Sequence, residues 1–104
     1  MKLGDLTAAV SARGAGRAVL VDGAEAVEIS GLAYDSRAAG PGSLFFCVSG
    51  FRTDGHEFAP QAIARGAAAL VVERPLGLGV PELLVDSVRA AMAPLAARFN
   101  GDPA

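Results

Sequence analysis

The sequence predicts an α/β domain, a small mixed β-sheet with flanking helices. Three observations carry that prediction. Leu44–Val48 (LFFCV) is a charge-free apolar run, and Ala67–Glu73 (AAALVVE) is a second one, each reading as a strand buried on both faces. Between them, about Glu57 to Arg65 has helical character, so the two strands form a parallel crossover. Ahead of them, Ala18–Val21 and Ala26–Leu32 are β-prone and separated by Asp22-Gly23, a dipeptide that accepts the positive φ angles of a hairpin turn. The front half is therefore expected as an antiparallel addition.

Each element has its own local signal. Leu3, Leu6 and Val10 recur at helical spacing, with Gly14 as a stop. Val27 and Ile29 alternate with Glu28 and Ser30, one face buried and one wet. Pro41-Gly42 makes the turn into Leu44–Val48, because proline presets φ and glycine tolerates the left-handed position after it. Pro60 fits the first turn of the following helix, and Gly66 closes it. Arg74-Pro75 breaks the chain, and Leu83–Val85 is a further core strand. Asp86 or Ser87 can cap a last helix reaching about Phe99. Pro94 removes a hydrogen bond inside that helix, so a kink or a later start is expected. Asn100-Gly101-Asp102-Pro103 has linker character.

The 104 residues make a single domain, 1–104, and 52% of them are hydrophobic, which excludes a disordered chain. Nine basic and eleven acidic residues give a net charge of -2, scattered along the sequence, so no basic face serves nucleic acid. Cys47 is the one cysteine, leaving neither a disulfide framework nor a cysteine metal set, and a reduced, cytoplasmic setting fits. No stretch approaches the roughly 18 apolar residues of a membrane span. A phosphate loop of the G-x-x-x-x-G-K-[ST] type is absent, the one lysine being Lys2, so this chain alone is not expected to use ATP. No G-x-G-x-x-G opens a helix either.

Polar chemistry concentrates in two loops. Tyr34, Asp35, Ser36 and Arg37 precede the first apolar run, and Phe51, Arg52, Thr53, Asp54, Gly55 and His56 follow it. Loops at the ends of buried strands are where a rigid scaffold presents a binding site. A triad of Ser36, His56 and Asp54 is formally possible, but neighbours at 54 and 56 do not converge readily, and Ser36 lies in no nucleophile elbow. The plainer reading has Asp54 capping the next helix and His56 in its first turn or packed on the loop. Asp35 and Arg37 read as a salt bridge pinning the turn. Arg52 suits a phosphate or stands solvated, and Phe51 covers a strand or a flat ligand.

The run Tyr34-Asp35-Ser36-Arg37, Pro41-Gly42-Ser43-Leu44-Phe45-Phe46, Gly50, Asp54-Gly55-His56-Glu57-Phe58, Ala62 and Gly66-Ala67 resembles the N-terminal domain of the Mur ligases. The likeness spans nearly the whole chain. Members adding D-alanyl-D-alanine share the DSR and DGH signatures. The Met-Lys-Leu-Gly-Asp-Leu start, and Leu95–Phe99 followed by Asp102-Pro103, are more similar to members adding the third residue to UDP-N-acetylmuramoyl-L-alanyl-D-glutamate.

The resemblance implies a domain that binds the UDP part of that substrate and is not catalytic alone. A central domain binding ATP and Mg2+ and a C-terminal domain bringing the amino acid would complete the ligase, and neither is expected within these residues. Tyr34 and Ser36 match positions that contact uridine, and Phe51, Arg52 and Thr53 match the loop touching the same nucleotide. That triplet departs from the His-Gln-Ala type of other members, so backbone contacts carry over more directly than side-chain ones. Asp35, Arg37, Asp54, Gly55 and His56 support the loops. The other readings are a stand-alone protein-interaction module and a small hydrolase.

Overall fold

The computed structural model describes residues 2–12, 18–20, 26–48 and 55–100. In chain order they form α1 (Leu3–Ala12), β1 (Ala18–Leu20), β2 (Gly31–Ala33), β3 (Ser43–Phe46), α2 (Ala59–Ala64), β4 (Ala69–Val72), β5 (Glu82–Val85) and α3 (Val88–Phe99). Short 3-10 turns occupy Ser36–Ala38 and Gly55–Phe58. The strands make one sheet in the order β1-β5-β4-β3-β2. β2 to β5 are parallel and only β1 runs antiparallel, against β5. The mixed sheet with flanking helices is thus the architecture the sequence predicts.

Side-chain alternation divides the core into two layers. Leu44, Phe46, Ala69, Val71, Leu83 and Val85 point to the face covered by α1 and α3, where Leu3, Leu6, Val88, Ala91 and Leu95 meet them. Phe45, Cys47, Leu70 and Val72 point to the opposite face, under Ala39, Ala59 and Ala62. All three connections between parallel strands pack on this second face, as one-handed crossovers in a consecutively ordered sheet require. β3 and β4 are buried at every position, which is why they carry no charge.

The hairpin expected between 18–21 and 26–32 does not form. β1 lies at one edge beside β5, pairing Val19 with Leu84, and β2 lies at the other, pairing Leu32 with Leu44. The Asp22-Gly23 turn falls outside the described residues. What prevails over the turn signal is the demand of β3 and β5 for a neighbour on each side, because a lone hairpin would leave their backbone groups unpaired. The alternation at 27–30 still reports burial correctly: Ile29 is buried while Glu28 and Ser30 are exposed. Yet Lys2 and Glu28 make only an isolated bridge, and the ladder of β2 begins at Gly31.

Pro41-Gly42 turns as expected, with Gly42 at φ 79°. The helix expected from about Glu57 begins later, at Ala59, with Pro60 in its first turn and a 3-10 turn ahead of it. Proline has no N–H to donate, so it sits where the helix has no use for one. Gly66 ends this helix at φ 108°. In α3 the Ser87 side chain accepts from Ala90 N at 3.2 Å, and the helix starts at Val88, so the later start considered for Pro94 does not occur. Pro94 shares the buried stripe with Val88, Ala91 and Leu95, so packing of its ring offsets the missing hydrogen bond.

Candidate functional site

Four parallel strands bring their carboxyl ends to a single edge of the sheet. Tyr34 leaves β2 there, Cys47 leaves β3, Glu73 leaves β4 and Asp86 leaves β5. Ligands of open α/β sheets bind outside such edges, usually where the strand order reverses. The parallel strands here run in consecutive order without a reversal, so what they offer is a polar edge assembled from loops.

At the β2 end, the Tyr34 ring stacks on Phe46 with centroids 5.0 Å apart and planes within 4°. Phe46 is fully buried, whereas Tyr34 is 50% exposed. The buried ring fixes the orientation of a flat surface presented to solvent, an arrangement suited to stacking a planar ligand. Asp35 then closes an Asx turn: its Oδ1 accepts Arg37 N at 2.8 Å, and Ala38 N donates to the Asp35 carbonyl at 2.9 Å. The Arg37 guanidinium folds back on the same carboxylate, Nη2 to Oδ2 at 3.0 Å and Nε to Oδ1 at 3.4 Å. Those Arg37 hydrogen bonds hold the Asp35 carboxyl below the usual aspartate value, and Asp35 in turn raises the guanidinium. With 83% of its side chain exposed, Arg37 keeps donors in water beyond those it spends on Asp35. Ser36 has its backbone in the 3-10 turn, and its side chain lies outside the described residues.

Between β3 and α2, Phe51, Arg52, Thr53 and Asp54 also lie outside the described residues; Gly55 opens the 3-10 turn. His56 is 3% exposed, and its Nε2 accepts Glu73 N at 2.9 Å. A ring nitrogen that accepts carries no proton, so His56 is the neutral tautomer protonated at Nδ1. It sits in the 3-10 turn ahead of α2 rather than in the helix's first turn, and is tied to the residue after β4.

No motif in the sequence marks Glu73. Its Oε2 accepts Val88 N at 2.9 Å at the start of α3, where Ser87 takes Ala90 N. A helix N-terminus attracts anions through free amides and its dipole. Here the chain's own carboxylate occupies that position, so the α3 start is no place for a ligand phosphate. The signal was an acidic residue closing an otherwise apolar strand. Among the described residues no group of three or more His, Cys, Asp or Glu side chains could hold a metal ion, and no helix is long and apolar enough to cross a membrane.

Fold and motif order together define a class. Residues 28–100 match the profile of the Mur ligase family, catalytic domain, and the chain belongs to the Mur ligase family. Its relatives narrow the comparison. It is 57% identical over 76 residues to the UDP-N-acetylmuramoyl-L-alanyl-D-glutamate--2,6-diaminopimelate ligase of Geobacillus thermodenitrificans, covering 73% of this chain and 16% of that protein. It is 56% identical over 79 residues to the UDP-N-acetylmuramyl-tripeptide synthetase of a Roseiflexus species, again 73% and 16%. A crystal structure of MurF from Acinetobacter baumannii superposes with a TM-score of 0.80 at 30% identity, over 98% of this chain and 22% of that one. The chain therefore spans about a sixth of the length of these curated relatives. The profile is described as a catalytic domain, yet the sequence holds no phosphate loop of the G-x-x-x-x-G-K-[ST] type.

Proposed function

We propose that this chain is the substrate-recognition domain of a peptidoglycan-precursor ligase and binds the uridine diphosphate part of UDP-N-acetylmuramoyl-L-alanyl-D-glutamate. The observation that carries this reading is the half-exposed Tyr34 ring laid flat on the buried Phe46 at the carboxyl edge. Uracil is a planar group that stacks on such a ring, and stacking contributes about 1–3 kcal/mol per base. Beside it the Asx turn holds Arg37 with outward donors that match a diphosphate, and Ser36 belongs to the proposed surface by its place in the family motif. Phe51, Arg52 and Thr53 belong to the same proposed surface by their place in the family motif, with Asp54 and Gly55 supporting them.

The parent enzyme adds the third residue of the peptide in this reading, which the chain's identity of 57% to a diaminopimelate ligase favours over the 30% shared with MurF. ATP and Mg2+ act elsewhere in the parent enzyme in this reading, which the lack of a G-x-x-x-x-G-K-[ST] loop in the sequence and of a metal-holding cluster among the described residues supports. The chain's own part is to bind and orient the nucleotide so that the peptide end reaches the remaining domains, in the cytoplasm. Calorimetric titration of the 104-residue chain with UDP tests this: saturable binding of UDP and of the UDP-dipeptide but not of AMP supports it. Equal heats for all three contradict it.

A further inference from the structure

We propose that His56 is a positioning residue for the carboxyl edge of the sheet, tying the turn before α2 to the end of β4 and, through Glu73, to the start of α3; its effect on nucleotide binding rests on the uridine reading above. Three connections leave the edge after β3, β4 and β5, and no strand ladder holds them together there. The pair His56 and Glu73 spans them. The His56 imidazole accepts the Glu73 N–H at 2.9 Å, and the Glu73 carboxylate accepts the Val88 N–H at 2.9 Å. Backbone and side chain of the same glutamate thus take opposite ends of one hydrogen-bonded path.

The chemistry of the imidazole is what makes it suitable. Nε2 can accept only when the ring is neutral and protonated at Nδ1, so the tautomer is set by the Glu73 N–H just after β4. Burial to 3% exposure withholds the ring from solvent, and a group so placed does no proton transfer with a ligand. It lies two residues after Asp54, on the segment that follows the family's nucleotide loop in sequence. Loops held in place before binding lose less freedom on binding, which is how a residue that never touches the ligand raises affinity.

The test uses the single histidine as its own reporter. In the 15N spectrum of the wild-type side chain, Nε2 is expected unprotonated and Nδ1 protonated; the reverse tautomer, or averaging of the two, overturns the proposal. UDP affinity is then measured for wild type, His56→Ala and His56→Gln, each well below its thermal midpoint. Glutamine places Oε1 close to where Nε2 lies and restores the acceptor. We expect His56→Ala to bind about five- to tenfold more weakly, the factor to which one hydrogen bond's net contribution corresponds, and His56→Gln to recover wild-type affinity. A folded His56→Ala with lowered thermal midpoint but unchanged affinity shows a purely architectural role and overturns the proposal. Should His56→Ala fail to fold, a folded His56→Gln with weakened binding overturns it equally, and wild-type affinity in that variant supports it. A wild type that does not bind UDP removes the uridine reading together with the positioning role, whereas a binding wild type with an indifferent His56→Ala removes positioning alone.

Discussion

Asp35 and Arg37 show how two exposed side chains can shape a turn without adding much to stability. Surface pairs of this kind are screened by solvent, so their value lies in the loop conformation that they select. The Asp35 carboxyl is held below the usual aspartate value, first by the Arg37 side-chain hydrogen bonds and then by the Arg37 N–H. A depressed carboxyl contributes above its unfolded value and loses that contribution as pH falls through its folded value. The Arg37 amide shift, followed during acid titration, should therefore change with a midpoint below that of an ordinary aspartate, and Asp35→Asn should abolish that step. At Tyr34 two roles separate by substitution. Tyr34→Phe keeps the stack on Phe46 and should keep UDP binding, while Tyr34→Ala should weaken it by the about 1–3 kcal/mol of one stacked base, measured by calorimetry.

Elements meet most tightly where Gly66 ends α2. A Cβ there would lie 2.9 Å from the Cα and N of Pro41, and φ is 108°. The Gly66 carbonyl also accepts Gly42 N at 3.0 Å, locking the two turns together. Because the clash is with backbone, Gly66→Ala should cost about 1–3 kcal/mol in chemical unfolding. Ser87→Ala removes the α3 cap and should cost about 1 kcal/mol in the same assay. At this scale the sequence is legible wherever one residue dictates the backbone. Pro41-Gly42 and Gly66 announce themselves, as do the apolar runs of β3 and β4, whereas the α3 cap is legible only as Asp86 or Ser87. Pairing partners are not legible, because Ala18–Leu20 and Gly31–Ala33 look alike locally and their edges are assigned by which strands remain unpaired. Glu73 is invisible for a related reason: its partners, His56 and Val88, lie 17 and 15 residues away.

For the molecule as a whole, the parallel sheet gathers four strand ends, and with them the YDSR turn and the His56–Glu73 link, at one edge. The motif order in the sequence already outlines that gathering, since each motif follows or precedes an apolar run. What the sequence leaves out is the stack of Tyr34 on Phe46, residues twelve apart brought together only by parallel pairing of β2 with β3. The central claim is that this edge recognises uridine diphosphate. Its most direct test follows backbone amide shifts of the labelled chain as UDP-N-acetylmuramoyl-L-alanyl-D-glutamate is added, with UDP and AMP alongside. The account predicts saturable shifts centred on Tyr34–Arg37 and the segment leading to His56, shared by UDP and absent with AMP. Shifts confined to helices α1 and α3 with none at Tyr34–Arg37, or none at millimolar ligand, would contradict it.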